Sequence, residues 1–215
     1  MERYLEILKV NFKHNLFKTL ILIAGFFILA PFIMGMKNLN EVQTAKILEV
    51  YVSLFGIVFL VPLFTLDEDL SIRNLIKSKK ESMLKLHFIR LLQQSVMLIG
   101  AILLFIFILR EGNCSFDFFK LFVSVLCNCI FLGGLGILSY SMINSQPFAY
   151  MIPIFYYILS YGCGKDILGE FYLFSIMGRE NNIYLSVAAI VMICVGIVYR
   201  DVLSFYKLLE CGFLS

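Results

Sequence analysis

Residues 88–109 read FIRLLQQSVMLIGAILLFIFIL, an apolar run whose single charge, Arg90, stands at its edge. As a helix rising about 1.5 Å per residue, such a run crosses about 30 Å of hydrocarbon. Five further runs accompany it: Leu20–Met36, Ile47–Leu66, Phe118–Ile143, Gln146–Tyr161 and Ile183–Tyr199. The whole chain follows the same bias. It has 215 residues, 60% hydrophobic and 15% charged, with a mean hydropathy of +0.90, beyond what a water-soluble core can hide. The expected fold is therefore all-α: a polytopic membrane protein with six transmembrane helices. No Pro/Ser/Gly-rich linker separates the runs, so residues 1–215 read as one membrane domain. The first run starts too late and extends too far for a signal-peptide core, and no small-x-small cleavage site follows it.

Lys and Arg set the orientation. With six spans the termini share a side. The loops on that side hold twelve of the 18 basic residues: Arg3, Lys9, Lys13, Lys18, Arg73, Lys77, Lys79, Lys80, Lys85, Arg90, Arg200 and Lys207. The other six are Lys37, Lys46, Arg110, Lys120, Lys165 and Arg179. The excess places both termini in the cytoplasm of a cell whose plasma membrane the chain crosses. The net charge of +3 is too small and dispersed for a nucleic-acid surface.

Three segments outside the runs carry structure of their own. Residues 1–18 place Tyr4, Leu5, Leu8 and Phe12 at helical spacing between charges, as in an elbow helix lying in the interface. Residues 67–87, on the inner side, begin with Asp67, Glu68 and Asp69 and continue to Arg73, Lys77, Lys79 and Lys80. Acids before bases suit a helix dipole, so a short cytoplasmic helix is expected. Residues 162–182, on the outer side, contain the apolar run Ile167 to Met177, too short to cross and read as a re-entrant or interfacial helix between Gly164 and Gly178.

Catalytic signatures are lacking. The sequence has no GxxxxGK[ST], no GxSxG and no HExxH, so no enzymatic activity, metal or cofactor is expected in this chain. His14 and His87 lie near inner membrane edges without a spaced ligand set. Ionisable residues of the runs fall at their ends: Glu49, Arg90 and Lys120. The Cys127-x-Cys129 pair reads as small packing residues, while Cys114 and Cys163 share the outer side, where their pairing stays open. Gln93, Gln94, Asn128, Tyr156 and Tyr157 either line a translocation path or bond helices to one another. Gly133, Gly134 and Gly136 mark close packing or a hinge, and Pro31, Pro62 and Pro153 mark kinks.

The order of elbow helix, two spans, charged inner helix, three spans, outer segment and last span resembles the type-2 permeases of ATP-binding-cassette exporters. The stretch from Asp67 to Lys80, followed by Arg90 opening the third span, is the most similar piece. The resemblance implies a permease subunit that moves an amphipathic cargo, of the peptide class, on ATP and Mg bound by a separate ATPase subunit. It implies contact with that ATPase through Asp67, Glu68, Asp69, Arg73 and Lys77, and pairing with a second permease copy or a paralogue. The small outer segment and the absence of Trp depart from the larger members and put a bulky-substrate vestibule in doubt. A non-transporting membrane interaction or assembly protein is the competing reading.

Overall fold

A computed structural model describes residues 12, 16–67, 83–114, 116–175 and 183–212, with side-chain surroundings given except at 66, 67, 83, 183 and 202–212. The elbow segment before Leu16 (Phe12 apart), His14, and the inner stretch carrying Glu68, Asp69, Arg73 and Lys77 lie outside the described residues.

The described chain is helical, with no strand. We number its long helices α1 (Phe17–Met34), α2 (Glu41–Thr65), α3 (Met83–Glu111), α4 (Phe118–Ile143), α5 (Gln146–Cys163) and α6 (Ile183–Gly212). Among the described residues, five helices are long and apolar enough to cross a membrane, α5 being the exception. It has 18 residues and forms where expected, but Gln146, Pro147, Pro153 and four tyrosines dilute its apolarity. The α4–α5 boundary is sharp for a local reason. Asn144 takes the left-handed conformation at φ 55°, its N–H bonds the Tyr140 carbonyl at 2.8 Å, and Pro147 opens the next helix.

The turns divide the bundle into two ends. At one, the backbone N–H of Asn38 donates to the Gly112 carbonyl at 2.9 Å, tying the α1–α2 and α3–α4 turns together. At the other, Arg200 of α6 reaches Asn144, its guanidinium donating to Oδ1 at 2.7 Å. We call these the Gly112 end and the Asn144 end.

Packing centres on α2 and α4. Helix α4 lies against α6, α2 and α5, and its glycines are where neighbours come close. A Cβ at Gly136 would collide with the Val61 side chain and one at Gly133 with Leu60, while one at Gly134 would lie 3.1 Å from the Ala189 carbonyl oxygen. Across the contact, a Cβ at Gly56 of α2 would collide with the Cys129 carbonyl. These glycines act in close packing, the arrangement by which membrane helices gain dispersion contacts that lipid tails do not supply. Phe26 and Phe27 of α1, Tyr51 and Phe55 of α2 and Phe105 of α3 form one aromatic cluster, with ring centroids 5.5–6.4 Å apart.

Helix α2 is not regular. It begins at Glu41, where the Asn40 N–H donates to Gln43 Oε1 at 3.2 Å, which is six residues earlier than the apolar run indicates. It then passes through a π-turn (Leu48–Val52), an α segment (Leu54–Leu60) and a 3-10 stretch (Val61–Asp67) that accommodates Pro62.

Candidate functional site

The π-turn of α2 is the natural starting point, because a widened turn disturbs the regular ladder and its carbonyls need other donors in a dry interior. Those donors come from three places. Tyr157 of α5 donates its hydroxyl to the Val50 carbonyl at 2.6 Å. The Cys129 thiol of α4 faces the Val52 carbonyl at 3.3 Å. Ser53 donates from its hydroxyl to the Glu49 carbonyl one turn back. The π-turn is thus held by side chains of α4 and α5 as much as by its own sequence.

Glu49 sits in this turn, wholly buried. The sequence placed it at the end of a span, and the structure corrects that placement. Because α2 starts at Glu41, Glu49 lies about two turns inside the helix. An ionisable group within a membrane bundle is expensive and tends to mark function. Its charge acts on the segment between α5 and α6. There Tyr172 has its phenol pushed above the ordinary range, first by burial, then by Glu49, then by Tyr161.

That segment penetrates the bundle. It consists of one helical turn (Lys165–Leu168), a 3-10 turn (Gly169–Phe171) and an irregular stretch to Ser175. The longer helix expected over Ile167 to Met177 is interrupted at Gly169, whose φ of 53° suits glycine and ends the turn. Leu173 and Phe174 are buried. The Leu173 carbonyl accepts from Asn128 Nδ2 at 2.8 Å, and its N–H donates to Ser160 Oγ at 3.2 Å. Tyr156 donates to the Phe171 carbonyl at 2.7 Å. Non-helical backbone at this depth is therefore satisfied by side chains from α4 and α5.

Of the candidate path residues, Asn128, Tyr156 and Tyr157 converge on this cluster, and each donates to a backbone carbonyl of another segment. Gln94 and Gln93 are on α3. Gln94 is 1% exposed, and neither its amide oxygen nor its nitrogen has a hydrogen bond among the described residues. Asp67 closes the 3-10 stretch of α2. Cys114 and Cys163 are both free thiols.

A second cluster occupies the Asn144 end. His87 and Arg90 are buried on the same face of α3 as Gln94, at i, i+3 and i+7. The His87 ring meets Phe64 edge-on at 5.0 Å. The Arg200 guanidinium lies over Phe64 at 5.0 Å and Tyr140 at 4.8 Å. Sequence reading assigned His87, Arg90 and Arg200 to an inner edge or loop. The aromatic faces of Phe64 and Tyr140, invisible as partners in the sequence, draw two of them inward. Among the described residues no group of three metal-ligating side chains comes together.

Comparison with protein-family models, with curated proteins and with solved structures finds no match for the chain.

Proposed function

We propose that the chain is the membrane-spanning permease subunit of an exporter powered by a separate ATP-binding-cassette subunit, with an amphipathic cargo of the peptide class. In this reading α5 is the sixth span, the Asn144 end and both termini are cytoplasmic, and residues 162–182 belong to a re-entrant outer segment. ATP and Mg belong to the partner ATPase, and a second permease copy or paralogue completes the path.

One observation carries the reading: residues 68–82 join the buried helix α2 to the end of α3 that holds its buried polar residues. This stretch leaves the 3-10 end of the buried helix α2 and enters α3 just ahead of the buried His87, Arg90 and Gln94. A push delivered to that stretch reaches the π-turn, Glu49 and the outer segment through a single helix. Helices interrupted by π and 3-10 turns are suited to two arrangements, and ATP binding by a docked motor biases one over the other.

The test is capture of the cognate ATPase by the purified chain, with Arg73→Glu and Lys77→Glu as variants. Retention by the wild type and its loss in either variant supports the proposal. A chain that never retains an ATPase refutes it. Retention without ATP-dependent cargo movement in vesicles favours a non-transporting assembly role.

A further inference from the structure

Helices α3 and α6 part at the Asn144 end and leave a groove of about 730 Å³ between them, within the roughly 300–1,000 Å³ typical of small-molecule sites. Its α3 wall is Leu84, Lys85, Phe88 and Ile89, and its α6 wall is Cys194, Ile197 and Val198. Every lining residue but Lys85 is apolar. The walls face outward, with Phe88 61% and Val198 53% exposed, so in a membrane the groove opens to lipid.

Lys85 stands two residues after the start of α3, at the level where a lysine stem lies along an apolar wall and its ammonium reaches the headgroups. The sequence just before it adds Lys77, Lys79 and Lys80. Basic clusters immediately next to a span draw anionic lipid, and basic pockets between spans hold its headgroups. We infer that this groove binds an anionic phospholipid, with one acyl chain along Phe88, Ile197 and Val198 and the phosphate at Lys85.

A second copy of the chain fits the groove poorly. Helix contacts in membranes favour small residues, whereas these walls present Leu, Phe, Ile and Val. The inference rests on membrane insertion and not on the transport reading.

Native mass spectrometry of the detergent-purified chain, titrated with phosphatidylglycerol and with phosphatidylcholine of identical chains, provides the test. The wild type should retain phosphatidylglycerol about fivefold more readily, the effect of one lysine at a charged headgroup. Lys85→Ala should weaken that preference while leaving phosphatidylcholine retention unchanged, and Lys85→Arg should keep it. Cys194→Trp, which fills the groove from an exposed position, should lower retention of both lipids. Equal retention of the two lipids by the wild type overturns the inference, as does an unaltered preference in Lys85→Ala. A dimer that sheds lipid and is split by Cys194→Trp also overturns it and assigns the groove to a second copy.

Discussion

Helices α1 and α2 are nearly equal in hydropathy, yet in their most apolar 18-residue windows 17% of α1 is buried in the bundle against 83% of α2. Both are greasy enough to cross a membrane, and only one is surrounded by protein. The difference lies in the residues that interrupt the grease. In α1 those are few, and Phe32, at 83% exposed, needs nothing from a neighbour. In α2, Tyr51, Ser53 and Gly56 each meet a specific partner: the Phe26 carbonyl, the Glu49 carbonyl and the Cys129 backbone. Hydropathy reports which solvent a helix tolerates, and polar and small residues report which face it shares with protein.

The contrast is sharpest at glycine. Gly56→Leu drives a side chain into the α4 backbone and should cost about 3 kcal/mol or abolish folding. Gly25→Leu on α1, where a Cβ meets nothing within 4 Å, should stay within about 0.5 kcal/mol. Thermal unfolding in detergent measures both, and equal losses would break the comparison. Truncation of aromatic residues comes next. Phe55→Ala opens a cavity among Phe26, Phe27 and Phe105 and should cost about 3 kcal/mol, against no measurable loss for Phe32→Ala in the same assay.

Smaller effects sharpen the account of the π-turn. Tyr157→Phe keeps the ring and removes the bond to the Val50 carbonyl, for an expected loss of about 1 kcal/mol. Asn128→Ala removes the donor to the Leu173 carbonyl. It should raise hydrogen exchange in residues 169–175 more than it lowers the unfolding temperature. The smallest effect is chemical. In intact membranes a thiol reagent should modify exposed Cys163 and leave buried Cys129 untouched.

Much of the scaffold was legible because its determinants are local. The run Phe118–Ile143 appears as α4 with the bounds read from the sequence, and the runs of α1 and α3 appear as helices with ends shifted by two to five residues. The start of α2 was misplaced because Glu41, Gln43 and Lys46 look like loop residues on a hydropathy scale, although Asn40 and Gln43 carry a helix-start pattern. Glu49 consequently read as terminal. The π-turn over Leu48–Val52 could not be read from its own residues, since its outside donors, Tyr157 and Cys129, stand more than seventy positions away in the chain. The sequence marks Asn128, Tyr156 and Tyr157 as polar residues that either line a path or bond helices to one another. Their common target, the backbone of residues 171–173 and 50, depends on packing that no periodicity encodes.

The claim on which the rest depends is that α2 is enclosed by protein while α1 faces lipid. Nitroxide labels placed singly along residues 17–34 and 41–65 in bilayers, read by oxygen accessibility, test it most directly. The account predicts high oxygen exposure at most α1 positions and shielding at nearly all α2 positions, Phe55 and Glu49 included. Accessibility along α2 that matches α1 would contradict it.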